Sequence, residues 1–373
     1  MEHNCAGLLV IWREHILLVE QKIDKGQSRL SIPKGTIEGK EDILDCAIRE
    51  TYEETGLVVK KEDIDTTQYL MNFRNSKFQR KIIYFVARLS ADTPPPLSPV
   101  DKAEIAEARW VDYRTAERLL QVTQLSVLMH LKSDRIPERA ARFLVNSGYI
   151  TCERHFQDNL LIYNYTNLCK SHQYWDEITL WCSGMITGTD NKILYRPMKK
   201  FFESSQLFEE FVPKAGTNFD LYEKKDGALG ILFWRNNIAH IATRGSFTTD
   251  IANIGNIILY DKYSQIIPKL DRACTYFFEI VTPKDRHVVD YGSCEDLFLI
   301  GAYNNQTGIS LYSKDLDGLG FPVVRHYPKH GTIEELQAMD IDNEEGYVAV
   351  FPDSSRLKIK FNNYKKKHAE IFH

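Results

Sequence analysis

The chain has 373 residues, more than a single hydrophobic core ordinarily supports, so at least two domains are expected. Its 43% hydrophobic, 26% charged and 12% aromatic residues are those of ordinary soluble globular protein and exclude a disordered or fibrous chain. A net charge of -4 excludes general polyanion binding, so any nucleic-acid contact must come from local basic clusters. Seven cysteines, no two of them spaced Cys-x-x-Cys, argue against a disulfide framework and for a reducing compartment. No apolar run of about 18 residues predicts a membrane span, and no signal-type run opens the chain; a cytoplasmic protein is expected.

In chain order, Gly7 to Trp12 and Ile16 to Val19 are apolar segments about a short charged turn, the pattern of a hairpin. Ser31 to Gly39 reads as a loop with two glycines, Gly35 and Gly39. A helix is predicted over 42–55 and stopped by Gly56 as a C-terminal cap. Leu44, Ala47, Ile48 and Thr51, spaced i, i+3, i+4, i+7, should face its core side. Beside them stand Glu50, Glu53 and Glu54. Carboxylates on one helical stripe repel each other unless a cation sits among them, and hard oxygen donors suit Mg2+ or Mn2+. Arg49 is placed to pair with Glu41 or to steady the stripe. A solvated acidic helix is the plainer reading of the same residues.

Gly35, Glu41, Arg49, Glu50, Glu53, Glu54, Gly56 and Leu57 resemble the Nudix box, G-x5-E-x7-R-E-U-x-E-E-x-G-U. The one departure is Thr51, where an apolar residue is usual. The resemblance implies an α/β/α sandwich whose glutamates bind divalent metal. An activated water would then cleave a nucleoside diphosphate linked to another group. The lead-in Pro33-Lys34-Gly35 looks like the branch acting on diadenosine polyphosphates and on RNA 5′-triphosphate ends. Substrate contact by Arg80, Lys81, Tyr84 or Glu104 stays open. Strands are predicted over 82–90 and 107–113, with Pro94-Pro95-Pro96 in an exposed loop between them. A closing helix begins at Thr115, and the domain is expected to span 1–131. Residues 132–151 read as a charged helical connector interrupted by Pro137.

From 152 to 373 the chain is rich in aromatics and strand patterns. Arg196 to Phe202 sets the cations Lys199 and Lys200 between apolar anchors. Lys224-Lys225-Asp226-Gly227 puts a lysine on a strand entering a turn. As a nucleophile its amine must lose a proton, and Lys225 or a phosphate-bound metal is the expected cause. A hairpin over 230–243 delivers Arg244-Gly245-Ser246 near Lys224. Tyr276 to Val281 is an aromatic strand broken by Glu279. Glu345 to Phe351 and Arg356 to Phe361 flank a turn, and Lys358 and Lys360 share a face with amines about 7 Å apart, a match to adjacent phosphates. Each piece alone also reads as a solvated or paired edge. The basic run Lys365-Lys366-Lys367 reads equally as a phosphate contact or a solvated tail.

This ordered set resembles the covalent nucleotidyltransferases, most closely the phage-type RNA ligase 1 family, from about Tyr163 onward. The resemblance implies a ligase adenylation fold in which Lys224 becomes linked to AMP and Glu279 engages the nucleoside. Glu345 would serve the metal, and Lys358, Lys360, Lys200 and Arg244 the ATP phosphates. Two departures stand out. Ser183 precedes Gly184 where the family has arginine, and the family's added C-terminal domain is expected to be absent after Lys360. The whole predicts two domains, α/β and α+β, in a bifunctional RNA end-processing enzyme that uses ATP and Mg2+ or Mn2+. It would seal RNA through lysyl-AMP while its hydrolase trims or proofreads 5′ ends. The alternatives are a nucleotide hydrolase regulated by a ligase-like sensor, and a protein AMP transferase.

Overall fold

The structure is a computed structural model that describes residues 3–23, 27–74, 79–131, 133–207, 213 and 216–372, without side chains at 3, 67–74, 79–81 and 372. The chain forms two compact units. One comprises 1–151, 165–180 and 187–193, the other 152–164, 181–186 and 194–373. Residues 132–151, expected as a connector, belong to the first unit.

The first unit is built on a mixed seven-stranded sheet. Its strands are β1 (His3–Trp12), β2 (His15–Ile23), β3 (Gln27–Ser31), β4 (Lys34–Thr36), β5 (Ile64–Arg74), β6 (Gln79–Leu89) and β7 (Ile105–Asp112). The order is β3-β2-β1-β6-β5, with β4 on β1 and β7 on β2. The expected hairpin is β1–β2, and β1 also runs parallel to β6 over its whole length. Both central strands are near-continuous apolar runs because both of their faces are covered: Leu8 to Ile11 and Ile82 to Ala87 are all buried. The stretch expected as a loop holds strand β4, which lays Lys34, Gly35 and Thr36 against Gly7, Ala6 and Cys5.

Helix α1 (Ile43–Thr55) packs on β1 and β4. Asp42 caps its start by accepting the amides of Leu44 and Asp45, and Gly56 ends it in the left-handed region at φ 71°. Its buried face is Cys46, Ala47, Thr51, Glu54 and Thr55, while Leu44 and Ile48, expected in the core, are only half-buried. The apolar stripe is therefore rotated toward the acids. Thr51 is tolerated there because its hydroxyl donates to the Ala47 carbonyl at 2.8 Å, leaving no orphaned polar group. Helix α2 (Tyr113–Leu119) follows β7. Helix α3 (Glu138–Asn146) starts at Pro137, which caps it rather than interrupting it.

Strands β8 (Ile150–Arg154), β9 (Leu160–Tyr165), β10 (Ser183–Gly188) and β11 (Ile193–Tyr195) form a four-stranded sheet, with helix α4 (Asn167–Ser171) inserted after β9. Helix α4 lies in the first unit, and the remaining elements all lie in the second: β12 (Phe202–Glu203), β13 (Asp220–Lys224), β14 (Ala228–Arg235), β15 (Ile238–Thr243), α5 (Asp250–Tyr263), β16 (Cys274–Val281), β17 (Asp296–Asn304), β18 (Ser310–Tyr312), α6 (Ser313–Leu316), β19 (His326–Tyr327), α7 (Ile333–Ala338), β20 (Gly346–Val350), β21 (Arg356–Lys360) and α8 (Asn362–Phe372). These strands make two five-stranded sheets, β12-β21-β20-β13-β19 and β15-β14-β16-β17-β18. Leu232, Ile241, Leu259, Phe278 and Leu297 form a core under α5, and Leu221, Ala349, Leu357, Ile359 and Phe361 form another beside α8. The chain passes from the first sheet to the second between Lys224 and Ala228, so the segment expected to carry the nucleophile is also the crossing between sheets.

A Cβ at position 56 would lie 2.2 Å from the Ser98 carbonyl oxygen in a left-handed conformation. Gly56→Ala is expected to destabilise the first unit by about 1–3 kcal/mol, read as a lowered thermal midpoint.

Candidate active sites

In the first unit, α1 carries the acids and β4 supplies the backbone opposite them. Arg49 is the cation among the carboxylates. It donates to Glu41 at 2.8 and 3.0 Å, to Glu50 at 2.9 Å and to Glu53 at 2.9 Å. The Arg49 hydrogen bonds hold the Glu41 carboxyl below its ordinary pKa despite some burial. Glu54 points elsewhere, accepting the Lys34 amide and the Gln21 side chain, each at 3.0 Å. Glu54 is 6% exposed, and burial pushes its pKa up to about 7, against the opposing pull of Lys34. Burial also raises Glu50, with Arg49 opposing and Glu53 reinforcing.

The reason for Gly35 is space. A Cβ there would sit 2.0 Å from the Glu50 carboxyl carbon and 2.1 Å from both of its oxygens. Among the described residues no three His, Cys, Asp or Glu side chains gather as a ready-made metal site. The donor chemistry nevertheless fits a hard divalent cation. Glu50 is half-buried and Glu54 buried, the charge of each is opposed by burial and by neighbouring acids, and Gly35 keeps the space beside Glu50 open. A carboxyl near pKa 7 is also poised for general-base work. Of the open substrate candidates, Tyr84 is buried and accepts from Gln124 at 3.1 Å, which is a core role. Glu104 pairs β7 to β2 through its carbonyl, which accepts the Lys22 amide. The side chains of Arg80 and Lys81 lie outside the described residues.

In the second unit, one buried carboxylate organises the lysines. Glu345, 3% exposed, accepts from Lys224 Nζ at 2.8 Å and from Lys360 Nζ at 2.9 Å. Strand register explains the meeting. Gly346 at the start of β20 is the partner of Lys224 on β13 and of Lys360 on β21, which puts both amines on one face beside Glu345. Lys358, one step along that face, pairs with no carboxylate among the described residues and lies over the Phe201 ring at 4.7 Å. Burial first, then Lys200, Lys224 and Lys360, drive its pKa well below the ordinary lysine value. Lys200 donates to the Phe201 carbonyl at 2.9 Å.

The turn after Lys224 is fixed from three directions. Asp226 is 5% exposed and accepts the amides of Val288 and Val289 at 2.8 Å and the Tyr364 hydroxyl at 2.8 Å, with His287 at 3.4 Å. Burial raises its pKa, but His287 and those donors hold it far below the usual carboxylate range. The Gly227 amide donates to Glu279 at 3.0 Å, and a Cβ at 227 would lie 2.5 Å from the Ile280 carbonyl oxygen. Burial lifts Glu279 to about 7, with Lys224 opposing.

Lys225 does not do what the sequence suggested. It pairs with Glu223 at 2.8 Å and stacks over Tyr291 and Phe298, on the other side of the strand from Lys224. It does not depress the Lys224 pKa. Burial lowers that pKa, but Glu345, Glu279 and Asp226 outweigh burial and raise it. Arg244 ends β15 in a turn closed by the Thr243 amide on the Ser246 carbonyl at 3.0 Å. Ser183 and Gly184 lie on β10, where a Cβ at 184 would meet Ile231 at 1.9 Å and the Arg244 Cα at 3.6 Å. In the basic run, Lys365 and Lys367 sit on α8, paired with Glu203 and Asp342. Sequence reasoning missed Tyr364 and Tyr291 as supports of the turn, since a tyrosine in a helix or loop carries no signal of what it will touch.

A NUDIX domain family model matches residues 1–130, and an RNA ligase family model matches residues 181–365. The two families expected from the sequence are the two that match. A curated relative from Autographa californica nuclear polyhedrosis virus, named as a bifunctional polynucleotide kinase/RNA ligase, is 22% identical over 260 residues, covering 61% of this chain. The chain spans 37% of that relative's length. Among solved structures, a Caenorhabditis elegans Ap4A hydrolase binary complex is 19% identical at TM-score 0.28, covering 39% of this chain and 98% of that one. A Naegleria gruberi RNA ligase mutant with ATP and Mn is 18% identical at TM-score 0.39, covering 46% of this chain and 58% of that one. Among the described residues no helix is long and apolar enough to cross a membrane.

Because Glu54 is raised in the fold to about 7 from an ordinary 4.5, its neutral form is favoured by folding. Its contribution to stability is fully present below pH 4.5 and is lost as pH rises through about 7. Glu54→Gln should therefore flatten the pH dependence of the first unit's stability across that window, as measured by denaturant unfolding at several pH values.

Proposed function

We propose that the chain is a bifunctional RNA end-processing enzyme, an ATP-dependent RNA ligase working through lysyl-AMP and joined to a pyrophosphohydrolase. Residues 1–131 are taken as the hydrolase, 132–151 as the connector and 152–373 as the ligase. The observation that carries the reading is the set Lys224, Glu345, Lys360 and Lys358, brought from distant parts of the chain onto one sheet face within a segment that matches the RNA ligase family.

The ligase reaction follows from that set. The Lys224 amine, once deprotonated, attacks the α-phosphorus of ATP; an N–P bond forms, the bond to the bridging oxygen breaks, and pyrophosphate leaves. Lys358, Lys360 and Lys200 face the charge that develops on the leaving phosphates, and Glu279 holds the loop and nucleoside. A divalent ion held by Glu345 would supply further neutralisation of the phosphates. The RNA 5′-phosphate then takes AMP from Lys224, and a 3′-hydroxyl displaces AMP to seal the strand. In the hydrolase, Glu50, Glu53 and Glu54 would hold Mg2+ or Mn2+, which activates water, and Glu54 is suited to take the proton. Its substrate is a 5′-triphosphate end, trimmed to the monophosphate that ligation needs, or the adenylated RNA of a stalled ligation. Both contain the pyrophosphate link such a site would cut.

Intact-mass measurement after ATP and magnesium should show a gain of one AMP that is absent in Lys224→Ala. A chain that gains nothing would leave only nucleotide sensing beside a hydrolase, and a chain that gains AMP but transfers it to protein rather than RNA would be an AMP transferase. With triphosphate-ended and adenylated RNAs, the Lys224→Ala protein should convert at least one to the 5′-monophosphate, releasing pyrophosphate from the first or AMP from the second, and Glu54→Gln should lower that rate by roughly 100-fold or more. Both RNAs staying intact in Lys224→Ala would sink the end-processing role of the hydrolase.

A further inference from the structure

The face that carries Lys360 and Lys358 continues one step further, to Arg356. On β21 these three residues stand at i, i+2 and i+4, so they share one face with backbone positions about 7 Å apart, within reach of one another for side chains of this length. Across the sheet, Lys360 is level with Lys224, Lys358 with Tyr222, and Arg356 with Asp220. Arg356 has no carboxylate partner among the described residues. Its guanidinium lies 5.2 Å from the centre of the Tyr312 ring, and Tyr312 in turn stacks on Tyr222 at 5.8 Å. The Tyr312 hydroxyl is close enough to influence Arg356 but makes no well-formed hydrogen bond with it.

Two further features mark this as more than packing. Tyr222 is only 4% exposed, yet its hydroxyl is buried with no hydrogen-bond partner, and the Tyr312 hydroxyl is in the same state. A buried polar group left without a partner costs about 1–3 kcal/mol, so native structures rarely keep two side by side without a ligand or water to satisfy them. The nearest acid on this face, Asp220, is already engaged by Lys314 and by His326 at 3.1 Å. What remains is a guanidinium and two phenol hydroxyls, all hydrogen-bond donors, at the end of a cationic row that begins beside Lys224. Donors of this kind take an oxyanion, and a guanidinium suits phosphate in particular.

We infer that Arg356, with the hydroxyls of Tyr222 and Tyr312, forms a subsite for the terminal phosphate of the bound nucleoside triphosphate, beyond the phosphates met by Lys360 and Lys358. This rests on the proposed ligase reading and deepens it. The subsite distinguishes a triphosphate from a monophosphate, and it releases its anion with the pyrophosphate. It also supplies a cation in a unit that has Ser183 where the related family has an arginine.

Titration calorimetry on the full chain in magnesium, with AMP and with an ATP analogue carrying a methylene bridge between its α- and β-phosphates, tests the assignment without requiring turnover. Arg356→Gln should weaken the analogue by at least about tenfold and leave AMP unchanged. Tyr312→Phe, which keeps the ring and removes only the hydroxyl, should weaken the analogue alone by a few-fold. Equal binding of the analogue by wild type and both variants would overturn the subsite, and so would a loss shared equally by AMP. Failure of the parent reading is seen separately, as absence of the AMP adduct on Lys224 in wild type.

Discussion

A single buried carboxylate, Glu345, stands between two half-buried lysines, too far from water to be left without them. Breaking such a buried pair by removing one partner typically costs about 3–5 kcal/mol, because a charge stays behind without compensation. The arrangement constrains the sheet around it. Lys224 and Lys360 come from strands on either side of β20, and both reach Glu345 only because Gly346 is in register with each. Glu345 is shared by the two lysines it pairs with, and Lys358 beside them has no carboxylate of its own among the described residues. Lys358 is instead surrounded by Lys200, Lys224 and Lys360. In the proposed reading, an incoming polyphosphate is the anion that would relieve the cations around Lys358.

The first unit solves a related problem with the signs reversed. There three acids surround one cation, and Arg49 spans Glu41, Glu50 and Glu53 while Glu54 is parted from them by its bonds to Lys34 and Gln21. The excess is negative, so in the proposed reading the ligand that would relieve it is a cation. Both sites use a glycine where backbone and side chain must nearly touch. Gly35 makes room for the Glu50 carboxylate, and Gly227 lets its own amide reach Glu279. An added methyl group would lie 2.0 Å from the Glu50 carboxyl carbon at position 35 and 2.5 Å from the Ile280 carbonyl oxygen at position 227, closer than a Cβ can sit.

Much of this was legible because it is written in local spacing. The helix of Ile43–Thr55, its Asp42 start and Gly56 stop, the β14–β15 hairpin and the alternation of Lys358 with Lys360 all follow from periods of 3.6 or 2 and from turn residues. What was not legible depends on which faces meet. Leu44 and Ile48 looked like core, but β1 and β4 lie over the side of the helix that carries Cys46, Ala47 and Thr51. Ser31 to Gly39 looked like loop because glycine and proline dominate it, yet Lys34–Thr36 is held as strand by pairing to β1, a tertiary effect. Tyr364 could not be singled out at all. Its hydroxyl reaches an aspartate 138 positions earlier, a contact that no local pattern encodes.

The same distinction explains the misreading of Lys225. Adjacent residues on a strand point to opposite faces, so a lysine next to Lys224 in sequence is poorly placed to repel it in space. The cations that share its face come from β21, more than a hundred residues away in the chain. They act on a Lys224 whose pKa is the outcome of two large opposing effects, burial pulling it down and Glu345 with Glu279 and Asp226 pushing it up. In the unliganded protein the acids prevail and the amine is kept as an ammonium, which is inert toward electrophiles. Within the proposed reaction, anything that draws Glu345 away from Lys224 removes the largest upward push and leaves burial opposed only by Glu279 and Asp226, which favours release of the proton. In that reading Lys224 is made reactive by occupation of its own site, and its proton passes to solvent as Glu345 turns to another partner.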